Sequence, residues 1–142
     1  MKEKKHSADW YIAATHYLTA GFVIPFIINF VGAIFLVSFL LTGLKLYLIL
    51  ILLNLLGVWF GVKYSAAYLK KTYIITNKNK IIKLATMYYG VIFGLYITIQ
   101  VMSQKVTGND FVFEVIKFIA IAYVLYVASK KYISEDAPVS IE

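Results

Sequence analysis

The sequence predicts an all-α membrane protein with four transmembrane helices, and its composition and the arrangement of its apolar residues support this fold class. Of the 142 residues, 61% are hydrophobic and 15% are charged, whereas a soluble domain has about 45–50% apolar and about 25% charged residues. The apolar residues lie in four segments, each about long enough to cross a bilayer as a helix. They are too long and too evenly apolar to be barrel strands. We expect the chain, 1–142, to be one membrane domain.

The first span, about 24–42, follows a segment, 7–20, that allows two arrangements. One continuous helix from Ser7 to Thr42 would be about 54 Å long, which exceeds the length of an upright span. Pro25 suits the first turn of a new helix and Gly21 suits the end of an earlier one. The pattern favours a short helix lying in the membrane interface before the first span. The alternative is one long, tilted helix kinked at Pro25.

Small residues recur at four-residue spacing in the second span, about 46–64, and the third, about 84–103. The second span contains Gly57 and Gly61, and the third contains Gly90 and Gly94. Such ridges let helix backbones approach closely in lipid. Because Gly57 and Gly90 are at similar predicted depth, we expect the second and third helices to cross there. The alternative is a homo-oligomer in which one ridge faces another subunit.

The two spans are joined by a basic connection, 70–83. We expect both helices to extend beyond the membrane and to reverse at 76–79, with Thr76 or Asn77 capping the third helix. A β-hairpin is the alternative, because Asn-rich turns between β-branched residues are typical of hairpins.

The fourth span, about 111–129, carries Glu114 and Lys117 one turn apart, followed by a polar tail, 132–142. Ionisable groups inside a membrane are costly, so they are functional candidates. Gln100 and Gln104 lie at the corresponding depth on the third helix and complete a predicted polar cluster near the outer end. The pattern favours a local salt bridge that only marks where the helix begins, and a coupling or ligand site that opens outward is the alternative. Asn54, in the middle of the second span, is predicted either to bond a neighbouring helix or to line a solute path.

Lysines orient the chain, since basic residues concentrate on the cytoplasmic side. All fourteen basic residues are lysine, and the net charge is +7. Most of the lysines belong to the N-terminal segment, the 70–83 connection and the end of the fourth span. We therefore expect both termini to lie in the cytoplasm. We expect the membrane to be the plasma membrane. Short outer connections predict two antiparallel helical hairpins. The lysines predict contact with anionic lipid headgroups and not with nucleic acid.

No catalytic, metal or cofactor site is predicted. The chain has no cysteine, which excludes thiol chemistry and disulfides. Neither of its two histidines, His6 and His16, is followed by a His or Glu at i+3 or i+4, so neither metal nor haem binding is expected. His16 is expected to contact water or headgroups in the interface. No Ser–His–Asp set or pair of facing carboxylates occurs, so we do not expect an enzyme.

Three functions are compatible with these residues. The glycine ridges favour a helix-packing subunit or self-associating module, with a second copy or a membrane complex as its partner. The alternative is a small-solute or ion transporter or channel lined by the polar cluster and Asn54. Pore formation of the holin kind is allowed by size and by a basic inner face but has no specific support.

Overall fold

The structure is a computed structural model that describes residues 4–38, 43–103 and 108–134. Its helices are α1 (Asp9–Tyr17), α2 (Ile24–Ser38), α3 (Gly43–Thr72), α4 (Lys78–Met102) and α5 (Gly108–Ser134), with a π-helical segment, Leu18–Val23, between α1 and α2. Four helical stretches are long and apolar enough to cross a membrane: Asp9–Leu36, Lys45–Thr72, Lys78–Met102 and Phe111–Ser134. The prediction of an all-α chain with four membrane-compatible helices is confirmed.

The first helical stretch runs from α1 to α2 without a break. Pro25 has no N–H to donate to the carbonyl of Gly21, and its ring crowds that carbonyl. The π-helical segment ends directly before this point, and a wider turn is one way for a helix to accommodate a proline. Residues of α1, including Ile12 and Ala13, are buried in the bundle. The chain therefore does not form a separate helix before Pro25.

The basic connection reverses the chain between two long helices. α3 ends at Thr72 and α4 begins at Lys78, and the side chain of Asn77 accepts a hydrogen bond from the backbone N–H of Lys80 at 3.0 Å. The predicted cap by Asn77 is confirmed, and the alternative hairpin is not formed. The segment before α1 adds a contact that the sequence did not indicate. Lys5 bridges this connection, because its N–H donates to Thr72 O at 2.8 Å and its carbonyl accepts from Ile74 at 3.1 Å.

The helices pack in a defined set of pairs: α2 along α3, α3 against α5, α4 against α5, and α1 against α4. The ridge on α3 receives the first helical stretch. A methyl group placed on Gly57 would lie 2.9 Å from Pro25 Cα, and one placed on Gly61 would lie 2.9 Å from Ala20 O. These distances leave no room for a side chain on α3 at either position.

The predicted crossing of the second and third spans at Gly57 and Gly90 is wrong. A methyl group on Gly90 would have Phe118 of α5 as its nearest neighbour, at 3.9 Å, and one on Gly94 would have no described atom within 4 Å. Equal depth in a membrane does not make two ridges face each other. The partner of the α3 ridge is the backbone around Ala20 and Pro25, which is itself narrow.

Burial divides the bundle into two halves. Among the described residues, every buried one from α1 onward lies in 12–25, 57–73, 81–85 or 121–133. We call these ranges the closed half. None of the residues in 26–36, 45–56, 86–103 or 111–120 is buried, and we call these ranges the open half. The lysine-rich connection joins two ranges of the closed half, 57–73 and 81–85, so the helices are packed most tightly at that end.

Candidate functional site

A buried histidine connects three helical stretches in the closed half. His16 of α1 is fully buried. Its Nδ1 lies 2.8 Å from Ser65 Oγ on α3, and its Nε2 lies 2.8 Å from Ser129 Oγ on α5. Both serines are also buried. One imidazole ring thus holds α1, α3 and α5 together through two interhelical hydrogen bonds.

The hydrogen-bonding capacity of the His16 ring is fully matched. A neutral imidazole has one N–H donor and one nitrogen acceptor, and a serine hydroxyl can donate or accept. One serine therefore accepts from the ring while the other donates to it, in either tautomer. A buried polar group without a partner would cost about 1–3 kcal/mol. The two serines remove that cost, so their hydrogen bonds to His16 stabilise the packing of α1 against α3 and α5.

The geometry of this site does not support nucleophilic catalysis. Of the acidic side chains described, Asp9 pairs with Lys80 at 3.1 Å and Glu114 pairs with Lys117, so neither orients His16. His16, Ser65 and Ser129 are all buried, and their hydrogen bonds join three helical stretches. The site is a structural contact between helices.

His16 was assigned wrongly from the sequence, as an interfacial residue in contact with water or headgroups. Its ring is inside the bundle because α1 packs there as part of a continuous helix. A signal for this burial exists in the sequence. Ala13, His16, Tyr17 and Ala20 follow the i, i+3, i+4, i+7 spacing of one helix face, and Ser65 continues the Gly57–Gly61 ridge at the same four-residue interval.

An ion pair occupies the open half, as the sequence predicted for Glu114 and Lys117. Lys117 Nζ lies 2.6 Å from both carboxylate oxygens of Glu114, but it is aligned for a hydrogen bond only with Oε1. Oε2 is buried and has no hydrogen-bond donor among the described residues. Lys117 Nζ also lies 5.9 Å from the centre of the Tyr47 ring on α3. The pair therefore faces the α3–α5 contact on one side.

The amides predicted to join this cluster do not bond to it within the described part of the chain. Gln100 is partly exposed and forms no hydrogen bond with Glu114 or Lys117 there. Gln104 lies outside the described residues, as does most of the predicted polar tail. Asn54 is partly exposed, and its side chain forms no hydrogen bond with a described residue. By contrast, the Asn29 side chain donates to Pro25 O at 2.9 Å.

The α4 ridge is uncovered in the open half. Gly94 and Thr98 are exposed, and the Thr98 hydroxyl donates to Gly94 O at 2.8 Å. The hydroxyl is thereby satisfied within its own helix, which leaves a shallow surface of small groups. On the adjoining face of α4, Phe93 stacks on Phe118 with ring centres 4.1 Å apart.

Among the described residues, no three His, Asp or Glu side chains are grouped so that they could hold a metal ion. Comparisons of the chain with protein-family models, curated proteins and solved structures give no match. Any functional inference therefore rests on the residues of this chain.

Proposed function

We propose that the protein is a non-enzymatic, self-associating module of a membrane assembly. In this proposal the closed half holds the four helices together, and the open half receives a second copy. The observation that carries it is the distribution of burial: no described residue of the open half is buried. Because lipid tails give apolar helices no hydrophobic reason to associate, close backbone approach and polar contacts decide which faces pair. The open half has small residues that allow close backbone approach, and it has polar groups that can form contacts.

Those groups are the small-residue surface on α4 and the amide of Asn54. The surface, Gly90–Gly94–Thr98, is narrow, and none of the described helices covers its outer part. In a two-fold dimer the same surface is present on both subunits, so two such ridges can approach along their length. An Asn54 amide within the bilayer is stabilised by an interhelical hydrogen bond, and a second copy can supply one.

We further propose two hairpins with both termini in the cytoplasm, in the plasma membrane. The order of contacts supports the first hairpin, since Ala20 meets Gly61, Pro25 meets Gly57, and Gly32 meets Leu53. Phe118 with Phe93, and Lys78 Nζ with Ser134 O at 3.4 Å, support the second. The lysines around the closed half support the orientation and contact with anionic headgroups.

Copy number and stability measured on two glycine variants test the proposal. Gly94→Leu fills the surface that would face the second copy, while Gly61→Leu fills the contact with Ala20 inside one chain. We expect wild-type protein in nanodiscs taken from native membranes to show more than one copy by single-molecule photobleaching. Gly94→Leu should shift the count to one copy without lowering the thermal midpoint measured in detergent.

Gly61→Leu should instead lower the midpoint, because the contacting atoms are backbone and cannot rotate away. Overpacking typically costs about 1–3 kcal/mol. Ile92→Phe, on an exposed face of α4 about 160° around the helix from Gly94, is the control for added volume and should leave both readouts unchanged. A single wild-type copy per nanodisc, or an unchanged count for Gly94→Leu, would contradict the proposal.

A second candidate function is passage of an ion or small solute, with the ion pair of the open half on its route. The observation that favours it is the buried Oε2 of Glu114, which has no hydrogen-bond donor among the described residues. A passing cation can coordinate this oxygen, and a water molecule or polar solute can donate a hydrogen bond to it. In this alternative the closed half is the barrier and the open half is the outward vestibule.

Flux through proteoliposomes tests this second candidate. Glu114→Gln removes the charge but keeps the shape, so a transport role requires a changed flux at equal protein content. Lys45→Gln is the control and should not change flux. It removes an exposed charge from α3, in the same open half as Glu114. If Glu114→Gln conducts as wild type does, the ion pair is not on a transport route.

A further inference from the structure

We propose that a cleft between α4 and α5, at the lysine-rich end of the closed half, binds the headgroup of an anionic phospholipid. The cleft has a volume of about 220 Å³ and is lined by Asn79, Ile82 and Lys83 from α4 and by Tyr126 and Lys130 from α5. A water molecule occupies about 30 Å³ of liquid. The cleft is therefore large enough for a phosphate group together with part of a headgroup.

The polar groups of the cleft are matched to an anion. Lys83 and Lys130 are exposed, and neither forms an ion pair within the described part of the chain. Ammonium groups form charge-assisted hydrogen bonds with phosphate oxygens. Asn79 lies in the first turn of α4, where the helix dipole also favours negative charge. The amide of Asn79 and the hydroxyl of Tyr126 add neutral donors.

An apolar track on α5 leads from the cleft and points to a lipid instead of a free phosphate. Ile116, Ile119, Tyr123 and Tyr126 are 57%, 58%, 67% and 39% exposed. At 100° per residue, they and Lys130 fall within one narrow stripe of the helix. From Tyr126 to Ile116 the helix rises about 15 Å, which is about half the hydrocarbon thickness of a bilayer. A phospholipid can thus place its phosphate in the cleft and an acyl chain along the stripe.

Titration of the detergent-solubilised full chain with defined lipids, followed by native mass spectrometry, tests this site. Phosphatidylglycerol and phosphatidylcholine with the same acyl chains are compared. We expect wild type to prefer phosphatidylglycerol, and the double variant Lys83→Gln, Lys130→Gln to bind it at least about tenfold more weakly. If wild type binds phosphatidylglycerol and phosphatidylcholine equally well, the proposal is overturned, whatever the variants show.

Two further arms separate this site from a general effect of charge or of free phosphate. The control double variant Lys63→Gln, Lys71→Gln removes two exposed lysines of α3 and should keep the wild-type preference; equal losses in both double variants would overturn the proposal. Soluble glycerol phosphate should bind wild type at least about tenfold more weakly than phosphatidylglycerol, because it lacks the chains that cover the stripe. Equal affinity would assign the cleft to a soluble phosphate and overturn the lipid assignment.

Discussion

At the scale of single residues, the His16 ring connects three helical stretches of the closed half. The two hydrogen bonds to Ser65 and Ser129 are each 2.8 Å long, and both cross between helices. Interhelical hydrogen bonds in membrane proteins contribute on average about 0.6 kcal/mol each. Removal of a buried ring also leaves a cavity, so the total effect of losing His16 is larger than that of its two bonds.

We expect His16→Ala to lower the free energy of unfolding by about 2–4 kcal/mol, from the lost bonds, the unpaired serine hydroxyls and the cavity. Thermal unfolding in a mild detergent measures this change. His6→Ala is the matched control, since His6 is exposed and its loss should be neutral. Equal thermal midpoints for the two variants would contradict the assigned role of His16.

A variant that removes the whole polar set separates hydrogen bonding from packing. His16→Leu alone leaves two buried hydroxyls without their partner, whereas His16→Leu with Ser65→Ala and Ser129→Ala leaves none. Replacement of all partners by apolar groups can be nearly neutral. We therefore expect the triple variant to be more stable than His16→Leu, and the reverse order would show that the hydrogen bonds are not the stabilising element.

The sequence predicted single-residue roles only where they depend on local spacing. The Glu114–Lys117 pair and the Asn77 cap each involve residues three positions apart on one helix, and both are present in the structure. The contacts of His16 join residues 49 and 113 positions apart in the chain. No local rule specifies which faces meet over such separations, so the histidine was placed at the surface.

At the scale of helices, the two glycine ridges have opposite surroundings. Gly57 and Gly61 of α3 lie against backbone atoms of the first helical stretch, while Gly94 of α4 has open space around it. This difference is the geometric cause of the separate outcomes expected for Gly61→Leu and Gly94→Leu. The small-residue pattern predicted close helix packing for α3. It did not identify the partner, because the first helical stretch offers a narrow surface through Ala20 and Pro25 without a long glycine repeat.

The π-helical segment Leu18–Val23 shows a second effect at this scale. Pro25 was expected either to begin a new helix or to kink a long one, and the structure has a continuous helix with a widened turn before the proline. The continuity matters for the site, because it carries His16 and Ala20 into the bundle. Local propensity alone favours a break at Gly21, and packing of α1 against α4 overrides it.

At the scale of the whole molecule, the number and type of helices were predictable, because hydropathy and length determine them. The division into a closed and an open half was not predictable. The division depends on the length over which neighbouring helices stay in contact. Hydropathy gives no information about that length. The open half exposes a small-residue surface on α4 and a partly exposed Asn54. These features are the basis of the proposed association between copies.

Disulfide cross-linking of single-cysteine variants in native membranes tests that association most directly, and the absence of cysteine from the chain makes every cross-link assignable. Gly94→Cys places a thiol on the open surface of α4, and Ile119→Cys places one on an exposed face of α5. Under mild oxidation we expect a covalent dimer for Gly94→Cys and monomer for Ile119→Cys. Monomer for both variants, or equal dimer for both, would contradict association through the α4 surface.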